Sequence, residues 1–97
     1  MNEMFNVPSN VVYNVERYFE VNLPQYTVEK VMKKSNHPND WYLYMVIGRK
    51  KEDPYNMGRY TLWTSWNETT NSLNLGHYGI DTEEEVMKLA REHYSCH

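Results

Sequence analysis

The densest grouping of metal-ligating side chains in this 97-residue chain is His93, Cys96 and His97. Two imidazoles and a thiolate are zinc-type ligands, and zinc takes four protein ligands or three with a water. His77 and His37 are distant in sequence. His77 reaches His93 only if a closing helix folds back over the strand that carries it. Terminal residues commonly fray, so no metal and no cofactor are expected. Group-transfer chemistry has less support still. Ser65, Ser72 and Cys96 lack the His/Asp spacing of an activated nucleophile. Gly48, Gly58, Gly76 and Gly79 are scattered, so no phosphate-cradling loop is formed. Glu83, Glu84 and Glu85 suit the positive end of a helix dipole better than acid–base work. His77, on an apolar face, reads as a core histidine. The chain is expected not to be an enzyme.

A second kind of chemistry is recognition by aromatic surface. Trp41-Tyr42-Leu43-Tyr44-Met45-Val46-Ile47 places large side chains on both parities of a strand, which point to opposite faces of a sheet. Trp41, Leu43, Met45 and Ile47 take one face, and Tyr42, Tyr44 and Val46 take the other. Helices can bury one face, and the covering of the second is the open question.

Composition narrows the class. Hydrophobic residues make up 40% and charged residues 24%, which fits one folded domain over 1–97 and not a disordered chain. No apolar run approaches the roughly 20 residues of a membrane-spanning helix. Met1 to Phe5 lacks the basic start and apolar centre of a secretory signal. A single cysteine forms no internal disulfide, so a reducing cytoplasmic setting is expected. The net charge of −3 gives no general attraction to nucleic acid or anionic membrane. Residues 26–60 hold seven Lys/Arg against four Asp/Glu. That excess divides between Lys33-Lys34 and Arg49-Lys50-Lys51 at opposite ends of one strand. Asn67-Glu68-Thr69 matches a glycosylation acceptor but reads as a hairpin turn.

Two helices bracket the candidate strands. Ser9 is the expected N-cap of the first, with Val11, Val12, Val15, Tyr18, Phe19 and Asn22 at helical spacing and Pro24 as its stop. Thr82 and Glu85 form a capping box for the second, whose stripe is Val86, Leu89, Ala90, His93 and Tyr94 with Met87 at its edge. Between them the pattern predicts strands over 26–34, 41–49, 59–67 and 72–80, joined by turn-rich segments short enough for antiparallel neighbours. Residues 27–32 also fit a short helix capped by Thr27. The expected fold is α+β: a four-stranded antiparallel meander with both terminal helices on one face, in the order α-β-β-β-β-α.

A self-consistent register sets Ile47 opposite Tyr60, Met45 opposite Leu62 and Trp41 opposite Trp66. Trp66 then meets Leu73, and Leu62 meets His77. That face is the more apolar and is assigned to the helices. The reverse face carries Tyr42, Tyr44, Val46, Thr61, Trp63, Ser65, Asn74, Gly76 and Tyr78. The candidate binding residues are therefore Tyr42, Tyr44, Thr61, Trp63, Ser65, Asn74 and Tyr78. Tyr and Trp offer rigid amphipathic contact area to a protein partner, which includes a second copy of the chain. The same pattern also describes an ordinary half-exposed sheet. Single-stranded nucleic acid stacking on Tyr42, Tyr44 and Trp63 is the alternative, against which the net charge weighs. A non-catalytic binding module is expected, and a small inhibitor or adaptor of a phage or mobile element fits the size and composition.

Overall fold

The computed structural model describes residues 5–33, 44–52, 54, 55 and 58–94. Its elements are α1 (Ser9–Asn22), β1 (Tyr26–Lys33), β2 (Tyr44–Lys50), β3 (Tyr60–Asn67), β4 (Ser72–Ile80) and α2 (Glu83–His93). The α+β class and the helix–meander–helix order are as the sequence predicts, and residues 26–33 are strand, not helix. The turn-rich segment 35–40, and Trp41, Tyr42 and Leu43 of the second expected strand, lie outside the described residues.

Pro8, not Ser9, holds the N-cap position of α1; its carbonyl accepts from Val11 and Val12 N–H at 3.1 and 3.3 Å. Proline carries a fixed φ into the helix entry and has no N–H to leave unpaired. The helix ends where Leu23 N–H donates to the Phe19 carbonyl at 2.9 Å and Pro24 forbids another turn. At α2, the Thr82 hydroxyl accepts from Glu85 N–H at 3.1 Å, as the capping box predicts. Glu83, Glu84 and Glu85 stand in the first turn and Arg91 and His93 in the last, so charge complements the dipole at both ends.

The strands pair antiparallel in the order β1-β2-β3-β4. Between β3 and β4 the expected register is found: Trp66 faces Leu73, Trp63 faces Gly76 and Leu62 faces His77. Between β2 and β3 it is displaced by two residues, with Ile47 opposite Leu62 and Val46 opposite Trp63. A two-residue shift preserves the faces, because strand side chains alternate with a period of two.

What changes faces is a bulge in every strand pair. The registers slip between Val28 and Lys30, between Tyr44 and Val46, and between Tyr60 and Leu62. One extra residue in one strand reverses the alternation beyond it. In β1 the extra residue is Glu29, so Tyr26, Val28 and Val31 pack in one cluster and Met32 in the other. A straight register in either phase would put Glu29 or Lys30 inward, and the bulge avoids this. In β4 the slip lies beside Gly79, whose φ of +77° suits glycine. Tyr78 touches Trp63 while Ile80 joins the opposite cluster.

Two cores result, one on each side of the sheet. Met32, Met45, Ile47, Tyr60 and Leu62 pack beneath Val86, Met87 and Ala90 of α2. Tyr26, Tyr44, Val46, Trp63 and Trp66 pack beneath Val11, Val15 and Phe19 of α1. Met45 and Ile47 alternate with Val46 along β2, so the helices lie on opposite faces. The expectation that both share one face is corrected. The Tyr44–Val46–Trp63 surface is too apolar to leave wet, and each Val or Phe buried against it contributes about 1.5–3 kcal/mol. Met87 is buried and not marginal as its place on the stripe suggests.

Gly48 lets α1 approach the sheet. A Cβ added there would lie 2.7 Å from Trp63 Cζ3 and 3.2 Å from Phe19 Cε2. Both atoms belong to buried rings that already meet edge to face, so the added methyl leaves them little room. Gly48→Ala is expected to lower the unfolding free energy by about 1–3 kcal/mol, the usual cost of overpacking, as read by urea denaturation. An unchanged midpoint would show that α1 does not press on β2 at this point.

Candidate functional site

The residues expected to form an open binding face fall into three groups. Tyr42 lies outside the described residues. Tyr44, Thr61, Trp63 and Ser65 are buried, with Trp63 only 4% exposed. Asn74 and Tyr78, on β4, are exposed. The open aromatic face is corrected accordingly: α1 covers it, and its rings serve the monomer's own core. The stacking platform named for single-stranded nucleic acid contains the same buried Tyr44 and Trp63.

Trp63 is the centre of that core. Its ring meets Phe19 at 5.3 Å and 86°, Tyr26 at 5.2 Å and 81°, and Tyr78 at 5.9 Å and 85° between centroids and planes. Edge-to-face contacts direct the positive edge of one ring at the negative face of another, and each adds about 0.5–1.5 kcal/mol beyond area burial. Tyr78 is 65% exposed yet still reaches Trp63, because Gly76 lies between them without a side chain. A Cβ on Gly76 would come within 2.7 Å of Tyr78 Cε2 and 3.0 Å of Trp63 Nε1. Tyr78 is thus a lid over the edge of the core as well as a surface group. The Thr61 hydroxyl donates to the Tyr26 hydroxyl oxygen at 3.4 Å, closing the same cluster from β3.

Trp66 was assigned to the face of Leu62 and Trp41. The bulge beside Tyr44 brings it to the α1 side, where it meets Tyr18 at 5.6 Å and 77°. Its Nε1 and the neighbouring Ser65 Oγ are buried with no hydrogen-bond partner among the described residues. The signal for this was present: tryptophans three apart in a strand cannot share a face unless a bulge intervenes. Val28 and Val31 carry the same signal in β1.

Ionisable groups cluster weakly. Burial pushes the Tyr44 phenol above its ordinary value of 10.0, and the Glu68 carboxylate adds to the shift. Lys33 pairs with Tyr44 at one end of β2 and Lys50 with Tyr26 at the other, so the basic residues are separated as expected. Glu29 lies 3.6 Å from Arg49 in a partly exposed ion pair. His77 does approach His93, with ring centroids 4.9 Å apart, because α2 folds back over the face that His77 shares with Leu62. Among the described residues no group of three or more His, Cys, Asp or Glu is placed to hold a metal, and no helix is long and apolar enough to cross a membrane.

What remains accessible is an edge. β4 pairs with β3 alone and ends the sheet. Its nine residues carry no Asp, Glu, Lys or Arg, whereas β1 at the other edge carries Glu29, Lys30 and Lys33. Leu75, on β4, is not among the residues that the sequence pattern singles out. It is 66% exposed and has a φ of +57°. Its carbonyl accepts from the Thr64 hydroxyl at 3.3 Å, which helps to hold that conformation. Left-handed backbone costs a residue with a Cβ about 1–2 kcal/mol, and sequence alone does not reveal it.

These features define a three-layer α+β domain, one helix on each side of a meander sheet, with an uncharged strand at one edge. Residues 10–84 match the family model described as Large polyvalent protein associated domain 24. The match runs from α1 into α2, and the chain belongs to that family, which is associated with large polyvalent proteins of mobile-element or phage-like type. No curated protein and no solved structure shows a significant match.

Two outcomes follow from the burial. Trp63→Ala is expected to cost about 3–5 kcal/mol, measured by chemical denaturation of dilute protein, whatever the assembly state; a cost under 1 kcal/mol would mean the indole is not in the core. A raised folded pKa means that native protein holds the Tyr44 proton after unfolded protein has lost it. The Tyr44 contribution is therefore intact below pH 10.0 and falls as pH rises toward the folded value. The stability of wild type relative to Tyr44→Phe should be constant from neutral pH to about pH 9 and decline above it. A flat difference up to pH 11 would remove the assigned shift.

Proposed function

We propose that this domain is a non-catalytic protein-binding module and that its docking element is β4, which adds a strand from a second copy of the chain. The observation that carries the reading is Leu75, exposed and in left-handed backbone on a free edge. It contributes little to the core and costs conformational energy, so contact outside the monomer accounts for it better than monomer stability does.

The choice of a second copy rests on charge and hydrogen bonding. An edge strand presents unpaired N–H and C=O groups, and proteins usually guard such edges with charge. β1 is guarded in this way and β4 is not. An uncharged strand meets its own antiparallel copy without like-charge repulsion. Leu75 and Tyr78 then supply apolar contact beside the backbone ladder. A foreign strand of similar composition would use the same groups.

Light scattering coupled to size exclusion, over concentrations up to the millimolar range, tests this reading. Wild type is expected to dimerise, and Leu75→Lys, which puts a charge on the edge, is expected to be monomeric. Leu75→Gly should also weaken the dimer while leaving the monomer as stable or about 1 kcal/mol more stable, because glycine accepts positive φ without cost. A wild type that is monomeric throughout, or dimers unaffected by Leu75→Lys, would overturn the assignment.

A further inference from the structure

A hollow of about 320 Å³ opens between α1 and β1, at the end of the sheet away from β4. Its walls carry opposite charges: Glu16 and Glu20 of α1 on one, Lys51 just past β2 on the other. Phe19, Tyr26 and Val28, which belong to the core under α1, line it between them. Among the described residues neither Glu16 nor Lys51 is in an ion pair, so the opposed charges do not meet across the gap. The Lys51 wall is tied down, because its backbone N–H donates to the Gln25 carbonyl at 2.9 Å. We infer that this hollow is a second docking site, apart from the β4 edge, and that it takes an arginine side chain from an extended segment of a partner protein.

The charges stand there against the helix's own preference. Glu16 and Glu20 are one turn apart, where like charges destabilise a helix. Glu20 also lies in the last turn, at the negative end of the dipole, and that turn has no basic residue. Arg17 pairs with Glu20 at 3.8 Å, but both side chains are mostly exposed and such a pair contributes little. α2, by contrast, complements its dipole at both ends. A cation from outside the chain, seated in the hollow, meets both carboxylates and the helix end together. Side chains one turn apart are separated by about 5–6 Å at Cβ, a span that one planar guanidinium with five N–H donors bridges better than a compact ammonium. The apolar lining takes the methylene stem. The Lys51 ammonium is a donor for a backbone carbonyl beside the arginine, a group that a peptide has and a simple amine lacks.

The test follows backbone amide chemical shifts of the full chain, at low salt, as a capped five-residue peptide with one central arginine among glycines is added. Saturable shifts are expected at Glu16, Glu20, Tyr26 and Lys51. Glu16→Gln and Glu20→Gln should each weaken the peptide roughly three- to fivefold. Both should also raise the urea midpoint of the free protein, since each removes a like charge from α1. Lys51→Met should weaken the peptide but not agmatine, which keeps the guanidinium and has no carbonyl. The same peptide with citrulline, uncharged and of the same shape, should not bind. Binding of the citrulline peptide, no saturable shift, or equal shifts around Glu83, Glu84 and Glu85 would overturn the site. Free arginine binding more tightly than the capped peptide would give the hollow to a small molecule and overturn the partner-protein assignment.

Discussion

The structure depends on a sheet that is apolar on both faces in a chain with two helices to cover them. β2 shows the constraint most directly: Met45 and Ile47 belong to one core, Tyr44 and Val46 to the other, and none of the four is wet. Leaving either face open would expose several large side chains, each contributing about 1.5–3 kcal/mol when buried. One helix per face is the arrangement that buries them. The contact of Phe19 with Trp63 above Gly48 is where this is tightest, because a glycine in β2 lets two rings approach the backbone.

The bulges are the device by which so small a sheet serves two cores. Without them strict alternation would divide the apolar residues of β1, β3 and β4 differently, and Trp66 or Ile80 would point away from the helix that buries it. One slip in each strand pair re-aims these side chains. The arrangement has a local cost. Ser65 Oγ and Trp66 Nε1 are buried without partners among the described residues, beside the point where β3 leaves the simple register. A buried polar atom without a hydrogen bond costs about 1–3 kcal/mol, here set against burial of the whole indole.

With both faces occupied, what the sheet leaves open is its edges. The two edges are unlike in charge, and the uncharged one carries an exposed leucine in left-handed backbone. Tyr78 joins the two roles, packed edge-on against Trp63 and open to solvent on its other side. The proposed contact runs through that strand edge, in a domain of a family associated with large polyvalent proteins. Such contacts are made by backbone groups and tolerate varied partner sequences.

Local sequence by itself determined the helices, the Thr82 cap of α2 and the meander, because these rest on short-range signals: Thr82 with Glu85, Pro24 after a helical stripe, turn formers between alternating runs. The β3–β4 register was legible for the same reason, across a connection of four residues. Which helix covers which face was decided only by tertiary structure, since both faces read as apolar and periodicity does not say which one a distant helix will meet. The candidate site turned on the same point. Tyr44 and Trp63 looked like a surface because aromatic residues suit interfaces and cores equally, and only the arrival of α1 separates the two. Leu75 was illegible for a different reason: its significance lies in a backbone angle imposed by neighbouring strands, and a leucine in a strand pattern gives no sign of it.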